Sequence, residues 1–152
     1  MTHTWGTWGP SWCWSLLLFA VTIAIHAFGI ALIIRIFERL RAMSAQNAFL
    51  DTTLGSVAII VAVTLALATL HAIEALIWAA VYLLLGATPS FADAVLYSVD
   101  SMTTRGASDL ELTREWRLMG ATEAGDGMLL FGISTAFIFY TMVRVWRNRF
   151  QS

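Results

Sequence analysis

The chain contains no lysine; all nine of its cations are arginine. It has one cysteine, Cys13, so no intrachain disulfide is possible and the redox compartment is not legible. Between Trp12 and Trp14, Cys13 reads as a small apolar residue, packed or facing lipid. Charge is scarce altogether. Charged residues make up 12% and hydrophobic residues 59%, whereas a soluble domain carries roughly 25% charge. The 152 residues suffice for one domain, but there is too little polar surface to dissolve it as a monomer. A net charge of −1 offers no footprint for nucleic acid, so none is expected as a partner. No basic segment precedes the first apolar run and no small-residue cleavage site follows it, which argues against a secretory signal. No internal repeat is visible, so any pore must be built from several identical chains.

What is present is apolar sequence in long runs. Trp12–Ile34 spans 23 residues and ends in Arg35, enough for the roughly 20 a membrane helix needs. Trp5, Trp8, Trp12 and Trp14 form an interfacial anchor at one face, with a Trp-lined ligand site as the alternative. The stretch Ile33–Asp51 carries Arg35, Glu38, Arg39 and Arg41 and reads as a solvated connector, in which Glu38 has Arg35 or Arg41 within pairing distance on a helix. These arginines sit unevenly at a helix end, unlike a voltage sensor. Leu54–Leu85 is a second span, with His71 and Glu74 on one face. They read either as a structural pair, mutual or with a neighbouring arginine, or as a proton- or metal-sensing site. Two ligands are too few for a metal on their own, and HxxE is not the HExxH of zinc proteases. No metal or other cofactor is therefore expected, and no enzymatic activity.

The stretch Phe91–Thr135 begins as a helix too short to cross a bilayer. It breaks at a Thr-Thr-Arg-Gly-Ala-Ser-Asp turn and resumes as a long helix over Trp116–Trp146. Irregular backbone at membrane depth is tolerated only where protein or a water-filled cavity surrounds it. The stretch therefore reads as a re-entrant hairpin framed by the other helices. Arg35, Arg39 and Arg41 follow the first span and Arg144, Arg147 and Arg149 the last. The positive-inside rule puts both groups in the cytoplasm and the N-terminus outside. The expected fold is an all-α, multi-pass membrane protein: three transmembrane helices plus a re-entrant helix and loop.

Ser98-Val99-Asp100-Ser101-Met102-Thr103-Thr104-Arg105-Gly106-Ala107-Ser108-Asp109 resembles the pore helix and filter of tetrameric potassium channels, whose signature reads T-T-V-G-Y-G-D. Further on, Phe131-Gly132 and Thr135-Ala136 fall where bacterial two-helix channels carry F-G-x-x-T-A in the inner helix. Gly127 falls near the family's hinge glycine, and Asp100 where some members keep a carboxylate behind the filter. The resemblance covers about 76–145. It implies residues 54–152 as a pore domain, residues 1–53 as an added helix and connector, a homotetramer in the cell membrane, and monovalent cations as permeant ions.

Within that resemblance the filter is altered. Filter carbonyls replace the ion's hydration shell, and glycines serve that geometry because they reach φ > 0 without steric cost. Here Arg105, Ala107 and Ser108 replace Val, Tyr and Gly, so weak or absent potassium-over-sodium selectivity is expected. Arg105 either meets Asp100 as a buried ion pair or faces the axis as a ring of charge, with Asp109 a second candidate partner. Glu123 and Asp126 either concentrate cations in a cavity or bond between helices. Met128, Phe131, Thr135 and Phe139 form a stripe suited to lining a narrow pore or to packing. The expected function is an ion channel of non-standard filter. A non-conducting homologue acting as sensor or assembly partner is the alternative, and an intramembrane metal- or proton-handling protein using His71 and Glu74 is a third class.

Overall fold

The computed structural model describes residues 9–43, 52–106 and 110–149. They form four helices and no strand: α1 (Gly9–Met43), α2 (Thr53–Leu84), α3 (Phe91–Met102) and α4 (Arg117–Arg149). Trp5, Trp8, Ala107, Ser108 and Asp109 lie outside the described residues, as do the side chains of Arg41 and Arg149. Three helices are long and apolar enough to cross a membrane, over Gly9–Leu40, Thr53–Leu84 and Arg117–Arg147. The chain is a helical membrane protein.

Local chemistry sets the boundaries. Thr52 caps α2, its hydroxyl accepting the Gly55 N–H at 3.0 Å. Ser90 caps α3, accepting the Asp93 N–H at 3.1 Å while donating to the Asp93 carboxylate at 2.6 Å. At the far end of α3 the backbone turns left-handed at Thr104 (φ +56°) and again at Gly106 (φ +78°). A β-branched residue pays for that conformation, so the turn is held by its surroundings. No such break follows Arg35, and the basic segment simply continues α1 to Met43.

Side-chain contacts give the register. Ser11 donates to the Glu115 carbonyl at 2.6 Å near the start of α1 and α4, and Glu38 meets Arg144 at 3.5 Å near their ends. The two helices therefore run in the same direction. Arg144 is a further partner for Glu38, reached because α4 passes alongside the end of α1; the side chain of Arg41, one of the two expected partners, lies outside the described residues. On α2, His71, Trp78 and Tyr82 bond Ser134, Asp126 and Glu123 of α4, so α2 runs opposite. The short α3 packs against both α2 and α4. The Ser98 hydroxyl lies 2.8 Å from the Ala75 carbonyl, and the Thr113 N–H donates to Ala87 at 3.2 Å. The chain thus leaves one end of the bundle after Ala87 and comes back to it by Thr113.

Polarity is inside out. Thr22, His26, Glu74, Ser98, Glu123 and Asp126 are fully buried among Trp78, Tyr82 and Met119, whereas Phe28, Leu84 and Phe139 are 72%, 84% and 68% exposed. In lipid this is the stable arrangement. Leucine gains little by leaving hydrocarbon for another helix, while polar groups must find partners inside.

Candidate functional site

The polar interior falls into a loop and three layers beneath it. At the loop, the Arg105 N–H donates to the Asp100 carbonyl at 3.0 Å, and Arg105 Nη1 lies 3.4 Å from Asp100 Oδ1. The expected pair forms, but not as a buried one. The Asp100 side chain is 3% exposed and that of Arg105 66%, because Arg105 lies beyond the end of α3 and its long stem carries the guanidinium to the chain's surface. Asp100 Oδ2 is buried with no hydrogen bond. Thr103 bonds back to the Val99 carbonyl at 2.7 Å, and Thr103, Thr104 and Gly106 are exposed.

Below the loop, Glu123 accepts the Tyr82 hydroxyl at 2.6 Å and also bonds Ser98. Tyr82 packs edge-on to Tyr97, with centroids 5.5 Å apart, and burial pushes the Tyr97 phenol above the usual tyrosine range. In the next layer Asp126 Oδ2 accepts the Thr22 hydroxyl at 2.6 Å and the Trp78 indole N–H at 3.2 Å. Neither carboxylate reaches the surface of the chain. Glu123 and Asp126 therefore bond between helices, the second of the two roles expected for them. The cause is tertiary: α1 and α2 cover this face of α4.

The inner-helix residues separate into two groups. Gly127 is buried where α4 crosses the end of α3. A Cβ there would stand 2.8 Å from Met102 Cα and 2.9 Å from its carbonyl carbon, so only glycine fits without movement. Phe131, Gly132 and Thr135 lie on the chain's surface with Met128 and Phe139, leaving the stripe uncovered by this chain.

The deepest layer joins three helices. Glu74 Oε1 lies 2.8 Å from His26 Nδ1, and Glu74 Oε2 lies 3.3 Å from His71 Nδ1. The Ser134 hydroxyl is 3.0 Å from Nε2 of both imidazoles. Phe131 stacks on His71 at 4.2 Å. Sequence reasoning found His71 and Glu74 but missed His26, Ser134, Thr22, Tyr82 and Trp78. The signal for His26 was present: an ionisable residue in the middle of the first apolar run.

The sequence matches no family model, and no curated protein or solved structure is significantly similar to it. The arrangement must be read from its own chemistry. Three layers of buried carboxylate, hydroxyl and imidazole fix α1, α2, α3 and α4 to one another, and they leave the Thr103–Gly106 loop and the Met128–Phe139 stripe presented outward.

Proposed function

We propose that this chain is one subunit of a homotetrameric pore-loop channel of the cell membrane, conducting small inorganic ions with weak or altered selectivity, and not an enzyme. The observation that carries the reading is the path from Ala87 to Thr113. It leaves and rejoins one end of the bundle, with α3 wedged between α2 and α4 and a left-handed turn at its inner end. Such a path suits a re-entrant helix feeding a filter-like loop. Polar loop backbone is prohibitively costly against lipid, and copies arranged in closed cyclic symmetry enclose it. The uncovered Met128, Phe131, Thr135 and Phe139 then face an axis or a neighbouring copy. In this reading the N-terminus is outside and the arginines at the ends of α1 and α4 are cytoplasmic.

The test is mass measurement of the detergent-solubilised protein followed by reversal potentials under a potassium/sodium gradient. A tetramer passing both ions supports the reading; a stable monomer or dimer refutes it, and strong potassium selectivity refutes the altered filter. One observation favours a non-conducting tetramer instead, namely the exposed Arg105 guanidinium at the loop, which would repel cations at a narrow mouth. Intact tetramers without flux, regaining flux on Arg105→Val, would support that second reading.

A further inference from the structure

The His26, His71 and Glu74 cluster is short of hydrogens. Four contacts close a ring: Glu74 to His26, His26 to Ser134, Ser134 to His71 and His71 to Glu74. With Glu74 a carboxylate and both imidazoles neutral, His26, Ser134 and His71 bring one proton each. Three protons cannot bridge four contacts, so in every tautomer at least one acceptor faces another. In agreement, Glu74 Oε2 and His71 Nδ1 are buried 3.3 Å apart and neither makes a hydrogen bond. One added cation between the two atoms closes the ring, either a proton that makes an imidazolium or a metal ion in its place.

We propose that His26, His71 and Glu74 bind a divalent transition-metal ion of the zinc class. Their ligating atoms all lie within 4.8 Å of one another. Two imidazoles and one carboxylate are a donor set such ions favour over magnesium or calcium. Metal–ligand lengths of about 2.0–2.1 Å on a tetrahedral ion put its ligand atoms roughly 3.3–3.5 Å apart. The two imidazoles approach different oxygens of Glu74, at 2.8 Å and 3.3 Å, so binding through one oxygen requires the shorter gap to open and the wider ones, up to 4.8 Å, to close. Ser134 supplies the orientation. Its oxygen has two lone pairs, enough to accept the Nε2–H of both rings and turn both Nδ1 lone pairs toward Glu74. Partners of this kind fix the tautomer and direction of ligating histidines. His71 is 12% exposed and borders Phe131, whereas His26 and Glu74 are sealed. A bound ion would tie α1 to α2 and, through Ser134, to α4. The inference stands apart from the channel reading, because it requires neither a tetramer nor conduction.

The test is zinc titration of chelator-stripped full-length protein in detergent, read by calorimetry, with cobalt as an absorbing substitute. The expected result is one ion per chain and cobalt absorption of four-coordinate strength, unmoved by excess magnesium. Glu74→Gln and His71→Ala should abolish that binding, and Ser134→Ala should weaken it by roughly 10–100-fold. Glu74→Gln keeps the shape of the side chain, so it reports on binding even if His26→Ala fails to fold. Absence of zinc uptake by the parent chain, or full binding by both Glu74→Gln and His71→Ala, would overturn the proposal.

Discussion

Replacing Gly127 by alanine is expected to loosen the packing of α3 against α4, and the size of the effect follows from one contact. The added methyl would stand 2.8 Å from Met102 Cα, whereas carbon atoms at rest sit about 3.5–4.0 Å apart. The end of α3 must therefore withdraw by roughly 0.7–1.2 Å. The obstacle is backbone, so no rotamer change relieves it. Overpacking of this kind costs about 1–3 kcal/mol, and a rigid neighbour puts it near the top of the range. Alanine recovers about 1 kcal/mol of helix propensity over glycine, leaving a net loss of roughly 2 kcal/mol. Gly125→Ala, two residues earlier, is the internal control. Nothing lies within 4 Å of its added methyl, so it should gain up to about 1 kcal/mol. Tryptophan fluorescence during SDS titration of the detergent-solubilised protein measures both. Their midpoints should move in opposite directions. If Gly127→Ala is as stable as Gly125→Ala, α3 does not end against α4 as described.

Three further outcomes are expected. Tyr82→Phe leaves Glu123 Oε2 without its 2.6 Å donor in a fully buried setting; it should cost about 1–3 kcal/mol in the same titration, and no change would mean Glu123 has another partner. Thr22→Val, equal in shape, removes the hydroxyl 2.6 Å from Asp126 and should cost a similar amount, which would establish α1 as part of one bundle with α2 and α4. Because the Arg105 side chain is 66% exposed, a double-mutant cycle of Asp100→Asn and Arg105→Val should give a coupling of no more than about 1 kcal/mol; roughly 3–5 kcal/mol for losing Asp100 alone would mean that neighbouring copies bury the guanidinium.

The sequence by itself determined the elements. Three apolar runs became three long helices, because about 20 apolar residues without a breaker have no better conformation in lipid. The short α3 and its polar break were also legible, since Ser90 and Asp93 mark its start and Thr103-Thr104-Arg105-Gly106 offers a turn rather than a further helical stripe. His71 and Glu74 declared themselves as ionisable residues in an apolar run. What only the tertiary structure decided is who meets whom. His26 and Thr22 lie more than a hundred residues from Ser134 and Asp126, and no local periodicity relates one helix to another's register. That register gave Glu123 and Asp126 their partners on other helices. It also gave Glu38 a partner on α4. The spacing His71–Glu74 announced a pair of ionisable residues on one face; His26 joined them because α1 antiparallel to α2 brings it level with Glu74. Helices form from their own residues, but the polar groups they bury in lipid are satisfied across helices, where sequence distance carries no information.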